Sequence, residues 1–133
     1  MSALHAFTHC RAFLRDERAA SAAEFALVLP VFLGLTFSAI NGSIMLSAAI
    51  QTHYAAERAA RCLSVDVAGN CTSGTIDAFA KTFYNGPALT GMVFTASQPA
   101  CGNQVVGTGT YQLISGLDVT TVTIGATACY PLS

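Results

Sequence analysis

Cysteine is the residue type whose placement in this chain says most about its chemistry. Four of the five cysteines, Cys62, Cys71, Cys101 and Cys129, follow a long apolar stretch, whereas Cys10 precedes it. Four cysteines in the roughly 80 residues beyond such a stretch predict two disulfides in an oxidising compartment. Three pairings of four cysteines are possible. The alternative interpretation is four buried free thiols in a reduced domain.

The other side chains that could act in catalysis or bind a metal form no recognisable motif. They include the histidines and the scattered aspartates of the C-terminal part: His5, His9, His53, Asp66, Asp77 and Asp118. The cysteines lack the close pairs that are typical of zinc sites, and no acid–base or nucleophile arrangement is visible. The net charge of -1 comes without a basic patch. We therefore expect no enzyme activity, no metal, no cofactor and no nucleic-acid partner.

The long apolar stretch indicates whether this chain is a soluble or a membrane protein. No charged residue occurs from Phe25 to Ile50, and only 10% of the whole chain is charged while 53% is hydrophobic. Soluble domains have about 25% charged residues. As a helix, the stretch would be about 39 Å long, which exceeds the hydrocarbon core of about 30 Å. It therefore predicts one membrane-spanning helix, tilted or continuing into the domain beyond.

Two other interpretations of this stretch compete with a membrane anchor. A buried core helix of a soluble protein is disfavoured because the remaining chain is too small to surround it. A cleaved secretory signal would use the small residues Ser47, Ala48 and Ala49. However, signal peptides have apolar regions of about 7–15 residues, so this segment is too long. A retained anchor fits better.

The orientation of the anchor follows from two independent patterns. Arg11, Arg15 and Arg18 precede the apolar stretch, and Arg58 and Arg61 follow it. The positive-inside rule therefore favours a cytoplasmic N-terminus only weakly. The cysteines after the stretch favour an oxidising compartment for the C-terminal part. Together the two patterns place the C-terminal domain outside the cytoplasm.

The chain after Ile50 predicts a small α+β domain. The Ala-rich sequence extends the long helix to about Val65, where Gly69 and Asn70 end it. Further elements are a helix over 75–84, strands over 92–97, 110–114 and 117–130, and a Gly-rich loop over 100–109. We expect the strands to form a three-stranded antiparallel sheet. In this layout we favour the pairings Cys62–Cys71 and Cys101–Cys129.

A row of small residues lies within the apolar stretch. Gly34, Ser38 and Gly42 recur every four residues, and so lie along one helix face. Such rows let helices approach closely in lipid, where packing drives association. The row predicts contact with other membrane helices.

Glu24 is the acidic residue at the entrance to the apolar stretch. It is followed at once by Phe25, in the sequence RDERAASAAEFALVLP that begins at Arg15. An acidic residue at a helix start is favoured by the helix dipole, and this is the simpler interpretation. The whole stretch, however, resembles the N-terminus of TadE-like pseudopilins of tight-adherence pili. The sequence after the apolar helix, with Ala59, Ala60 and Arg61, also resembles this family.

The resemblance implies processing and assembly. Prepilin peptidase would cut between Ala19 and Ala20, although Ala19 stands where the family has Gly. Glu24 would then be the fifth mature residue. Residues 1–19 would be a cytoplasmic leader, 20–65 a transmembrane and extended helix, and 66–133 a disulfide-bonded extracytoplasmic domain. The implied location is the bacterial inner membrane.

The resemblance also implies the functional partners. These are the lipid bilayer, prepilin peptidase, other pilin-like subunits and the pilus assembly machinery, with roles in pilus assembly and adhesion. The residues implied in assembly are Glu24, Phe25, Gly34, Ser38 and Gly42. One alternative is a membrane-tethered binding or scaffold domain that never enters a filament. Another is a secreted disulfide-rich effector.

Overall fold

The computed structural model describes residues 17–66, 69–114 and 119–132, and the side chains of all of these except 17–20 and 114. Its helices are α1, Glu17–Val65, and α2, Ile76–Phe83. Its strands are β1, Thr90–Ser97, β2, Asn103–Ile114, and β3, Val119–Tyr130. The predicted α+β class, with a long N-terminal helix and three antiparallel strands, is confirmed. Most of the predicted leader, residues 1–16, lies outside the described residues.

The chain divides into two compact units, Met1–Ile40 and Asn41–Ser133. The described part of the first unit is helix alone. The second unit contains the end of α1, all of α2 and the sheet.

Helix α1 is continuous over 49 residues, with Pro30 inside it. Proline has no amide hydrogen, so the helix lacks the backbone bond that residue 30 would otherwise donate to Ala26. The helix ends at Val65, as predicted, and Asp66 adds one further bond to the carbonyl of Cys62 at 2.9 Å. Gly69 then takes a positive φ of 76°, which is easily adopted only by glycine.

Helix α2 is one residue shorter at each end than predicted. Thr75 precedes its first residue, and its hydroxyl accepts a hydrogen bond from the amide of Thr72 at 3.0 Å. The helix ends at Phe83 because Tyr84 is extended. The Tyr84 hydroxyl donates to the carbonyl of Pro87 at 2.5 Å, and burial raises the pKa of this tyrosine.

The sheet has the order β1-β2-β3 with both pairs antiparallel. Strands β2 and β3 pair without a shift from Asn103–Tyr130 to Ile114–Val119. The pairing of β1 with β2 is interrupted between Thr90 and Val93, where Gly91 has a φ of 64°. Alternate residues of β3 face the core, and Ile124 and Ala128 are buried there. This is the face that alternation predicts for even-numbered residues.

The predicted loop over 100–109 is wrong, because β2 already begins at Asn103. Gly102 does lie in the turn before the strand, but Gly107 and Gly109 lie inside the strand, where other side chains approach the backbone. A Cβ on Gly107 would lie 2.8 Å from Cδ1 of Phe94 and 2.9 Å from Cγ2 of Thr52. A Cβ on Gly109 would lie 2.9 Å from Cβ of Leu89. Glycine here allows close packing instead of a turn.

The core of the second unit lies between one face of α1, helix α2 and the inner face of the sheet. The α1 face is made of small side chains, which allow the helix to approach the sheet closely. Its fully buried members are Ala48, Thr52, Ala55, Ala56, Ala59 and Ala60. The larger buried side chains are Phe94 and Val105 from the sheet and Ile76 from α2. The Thr52 hydroxyl donates to the carbonyl of Ala48 at 2.7 Å, which satisfies this buried polar group.

Asn103 joins the end of α1 to the start of β2. It is buried, and its Nδ2 donates to the Ser64 hydroxyl at 3.0 Å. Its Oδ1 accepts from Nε2 of Gln98 at 2.8 Å. Within the described ranges, every buried side-chain nitrogen and oxygen has a hydrogen-bond partner. The polar groups of this small core are therefore satisfied.

Candidate assembly site

The first half of α1 carries an exposed apolar surface. Phe25, Leu27, Val28 and Phe32 are all more than 60% exposed, as are Leu35 and Phe37 further along. Among the described residues, one helix is long and apolar enough to cross a membrane, judged by length and composition, and this surface lies on it. A core helix of a soluble protein would be buried, whereas this segment is not. The sequence prediction of a membrane-spanning segment therefore agrees with the structure.

Glu24 lies at the N-terminal border of that apolar surface. Its side chain is exposed, and it has no ion-pair or hydrogen-bond partner among the described residues. The helical backbone is unbroken from Ala20 to Phe25, so Ala20 and Glu24 are one turn apart. Ala19 also lies in the helix, so the predicted cleavage site is within the first turns of α1. The arrangement offers one carboxylate beside a surface that would lie in lipid.

The row of small residues also lies on α1. A Cβ added to Gly34 or Gly42 would meet nothing within 4 Å. The Ser38 hydroxyl donates to the carbonyl of Gly34 at 2.8 Å, so this polar group is already satisfied within the helix. The row is therefore open to a neighbouring helix backbone, and Ser38 need not contribute a hydrogen bond to that contact.

The Ala-rich sequence that resembles the family has a structural role in the second unit. Ala55, Ala56, Ala59 and Ala60 are buried against the sheet, whereas Arg61 is exposed. In the sequence this pattern is a mark of resemblance to the family, without an evident role. Its role is to give α1 the flat face that close helix–sheet packing requires.

Both favoured disulfide pairings are present. Cys62 at the end of α1 bonds to Cys71, with their Cα atoms 5.9 Å apart. Cys101, in the turn before β2, bonds to Cys129 near the end of β3, with 6.3 Å between the Cα atoms. The first bond ties the segment after α1 back to the helix, and the second ties the β1–β2 turn to the last strand.

One group of side chains has donor atoms close enough to suggest a metal site. The ligand atoms of Cys62, Asp66 and Cys71 lie within 4.8 Å of one another. The two sulfur atoms are bonded to each other, and Oδ2 of Asp66 accepts from the amide of Cys71 at 2.6 Å. To bind zinc, this group would need both cysteines as free thiolates, whereas here they form a disulfide. In the disulfide form, the group serves to fix the turn after α1.

Arg58 makes three side-chain contacts with aromatic residues near the outer surface of α1. Its guanidinium carbon lies 5.2 Å from the ring centre of Tyr54 and 5.9 Å from that of Phe83. Its Nε also donates to the Tyr54 hydroxyl at 3.1 Å. These contacts border a shallow recess of about 300 Å³ lined also by Arg61 and Tyr130. The spacing of Tyr54 and Arg58, four residues apart, was the available signal for this cation–π contact.

Among the described residues, those considered for catalysis are not brought together. His53 is exposed on α1. Asp77 lies on α2, where its carboxylate accepts hydrogen bonds from Nζ of Lys81 and from the amide of Phe94. The other candidates, His5, His9 and Asp118, lie outside the described residues. Among the described residues, Asp66 and Asp77 serve hydrogen bonding within the fold.

Comparison with known proteins gives a match to a protein family. A family model described as TadE-like protein matches residues 19–61, which are 43 of the 133 residues. No characterised protein and no solved structure shows significant similarity to the chain. The matched segment begins at the predicted cleavage site and ends with the buried alanines and Arg61. The resemblance inferred from the sequence is thus confirmed over residues 19–61, which match the TadE-like family model.

Proposed function

We propose that this chain is a pseudopilin, a minor pilin-like subunit of a tight-adherence pilus, anchored in the bacterial inner membrane and acting in pilus assembly and adhesion. The observation that carries the proposal is the exposed apolar half of α1 with Glu24 at its border. This surface lies within the segment that matches the TadE-like family. In this role the N-terminus is cytoplasmic and the disulfide-bonded domain is outside.

Cleavage by prepilin peptidase would create the positive charge with which the Glu24 carboxylate pairs. A cut between Ala19 and Ala20 leaves the apolar helix attached and creates a cationic amine at Ala20. An unpaired carboxylate in an apolar bundle costs several kcal/mol. Pairing Glu24 with the amine of a neighbouring subunit removes this cost only in one register. Glu24 would thereby set the axial position of each subunit, while Gly34, Ser38 and Gly42 let the helices approach.

The first experiment determines the mature N-terminus. Mass spectrometry of the protein extracted from membranes is expected to find a chain that begins at Ala20. An intact Met1 would show that Ala19 does not support cleavage, and an N-terminus near Ile50 would show a secretory signal. Either result would remove the main support for a pseudopilin.

The second experiment separates an assembling subunit from a membrane-tethered binding domain. Glu24→Ala is expected to abolish incorporation into pilus fractions while leaving membrane insertion unchanged. Glu57→Ala is the matched control because Glu57 is an exposed glutamate on the same helix, beyond the apolar segment. If the unmodified chain itself is absent from pilus fractions, it acts as a tether. If Glu24→Ala is incorporated as well as Glu57→Ala, Glu24 does not direct assembly.

A further inference from the structure

One face of α1 is covered by the second unit while the helix is still within its uncharged stretch, which ends at Ile50. Ala48 on this face is fully buried. The other members are buried or partly buried and recur at spacings of three and four residues, which define one helix face: Asn41, Ile44, Met45, Ala49 and Thr52. The folded domain therefore packs against α1 before the apolar stretch has ended.

Contacts at two levels fix the direction of the sheet along this face. The Ser64 hydroxyl accepts a hydrogen bond from Nδ2 of Asn103 and lies 3.4 Å from the carbonyl oxygen of Tyr130. Further back along α1, the side chain of Thr52 lies beside the backbone of Gly107. Strand β2 therefore runs back along α1 from the level of Ser64 towards the apolar stretch, and β3 starts at that end.

The end of the sheet at residues 111–113 of β2 and 119–122 of β3 is named the sheet end below. From Gly107 to Leu113, six residues of strand span about 20 Å, which equals about 13 residues of helix. Measured back from Thr52, this length covers the α1 residues of the second unit, and an inclined strand covers somewhat less. Tyr111 and Leu113 are partly buried on the inner face of the sheet. The sheet end therefore lies at the level of Ile44.

The same part of α1 is where a membrane-anchored helix would leave the hydrocarbon core. A span needs about 20 apolar residues. Counted from Phe25, which follows the charged Glu24, 20 residues end at Ile44. Tilt moves this boundary a few residues further along the helix. The level of the sheet end thus coincides with the headgroup region on the side of the folded domain.

The side chains of the sheet end suit a membrane interface. They include no charged residue, and the exposed ones among them are apolar or neutral hydrogen-bonding groups: Gln112, Val119, Thr120 and Thr121. Val119 is 56% exposed, and Tyr111 is of a residue type that is enriched at membrane interfaces. Asp118 directly precedes Val119 in the sequence, and a carboxylate is costly in hydrocarbon. The chemistry therefore favours contact with headgroups over insertion among the acyl chains.

We propose that the sheet end contacts the lipid headgroups of the leaflet that faces the folded domain. The second unit then rests on the membrane beside its own anchor. The proposal depends on the membrane anchor of the proposed function, but not on leader cleavage, Glu24 or assembly into a filament. The occupant is lipid because α1 itself brings this end of the sheet to the membrane level.

Tryptophan fluorescence tests the proposal, because the chain contains no tryptophan and a single introduced one reports its own position. Val119→Trp is placed at the sheet end of the full chain, in vesicles of phosphatidylethanolamine and phosphatidylglycerol. Thr127→Trp is the matched control, an exposed position on the same face of the same strand, about 26 Å towards its other end. Lipids with a nitroxide close to the headgroup are expected to quench Val119→Trp about threefold more strongly than Thr127→Trp.

Two further variants make every outcome decisive. Thr121→Trp, an exposed position in the sheet end, replaces Val119→Trp if that variant does not fold, and is expected to be quenched more than Thr127→Trp. Leu35→Trp reports the anchor and is expected to be quenched most by a nitroxide near the end of the acyl chain. If Leu35→Trp is quenched but the sheet-end tryptophans match Thr127→Trp, the proposal is wrong and the anchor stands. Sheet-end tryptophans shielded from both lipid nitroxides and aqueous acrylamide would show a protein partner instead. An unquenched Leu35→Trp would overturn the anchor and this proposal together.

Discussion

Oδ1 of Asp77 on α2 accepts the amide hydrogen of Phe94 on β1 at 2.8 Å. The other carboxylate oxygen, Oδ2, lies 2.7 Å from Nζ of Lys81 one turn along the same helix. Asp77 thus joins a helix to the sheet edge through one oxygen and is held in place through the other. Phe94 is in turn one of the largest buried side chains of the core.

Removal of this carboxylate is expected to loosen the β1 edge. Asp77→Ala leaves the Phe94 amide without its acceptor and should lower the free energy of unfolding by about 1–2 kcal/mol. Hydrogen exchange at the Phe94 amide is the direct measurement, and its rate should rise about tenfold. Lys81→Gln is the control: it removes the exposed ion pair alone and should cost less than about 0.5 kcal/mol. Equal exchange rates in the two variants would contradict the assigned role.

Stability should also depend on pH through Asp77. The hydrogen bond from Lys81, together with the Phe94 amide and the lysine charge, holds the pKa of Asp77 below its usual 3.8, against a smaller opposing effect of burial. A lowered pKa in the folded state stabilises the fold above the unfolded pKa. This contribution is lost as the pH falls below about 4 through the folded value. Thermal unfolding from pH 7 to pH 2 should show a smaller acid-induced decrease for Asp77→Asn.

Gly107 is expected to tolerate no side chain. In Gly107→Ala the new methyl group would meet the Phe94 ring and Thr52, both of which are buried, so the core must shift at a cost of about 1–3 kcal/mol. Gly125→Ala is the matched control, because the nearest atoms to its Cβ are at 3.8 Å and 3.9 Å. Thermal unfolding in detergent should separate the two variants. A Gly107→Ala protein as stable as Gly125→Ala would show that Phe94 does not approach this backbone.

The two disulfides should differ in their contribution to stability. Cys62 and Cys71 are 9 residues apart, whereas Cys101 and Cys129 are 28 apart. In the chain-entropy model, the shorter loop gives about 2.7 kcal/mol and the longer about 3.6 kcal/mol. Paired serine variants should therefore show the larger loss for Cys101→Ser with Cys129→Ser. A non-reducing digest tests the pairing itself, and peptides joining Cys62 to Cys101 would contradict it.

The row of small residues should control association of the membrane helices. Gly34→Leu is expected to reduce helix–helix energy transfer between labelled copies in vesicles several-fold, because added bulk separates the backbones. Thr36→Leu adds bulk about half a turn away on α1 and should have little effect. If Thr36→Leu is the more damaging variant, the helices associate through a different face.

Sequence patterns predicted the helices well because apolar continuity and alanine content are local properties. The end of α1 at Val65 follows from the composition before it and from Gly69 after it. The start of β2 was missed because Gly107 and Gly109 are also typical of loops. Only the positions of Phe94 and Leu89 above the strand reveal why glycine is required there.

The residues proposed for assembly could be named from the sequence only as a linear pattern. Glu24 and its exposed surroundings were found because one acid precedes a long uncharged run. The hydrogen bond between Asp77 and Phe94 could not be predicted, since it joins residues 17 positions apart on different elements.

The burial of Ala48 and Thr52 constrains where proteolysis could separate an intact second unit from the apolar helix. Both side chains are fully enclosed in the second unit, although Ala48 still belongs to the uncharged stretch that ends at Ile50. A protease that cut after Ala49 would remove part of the interior along with the anchor. Intact release therefore requires scission upstream of Ala48, within the apolar helix itself.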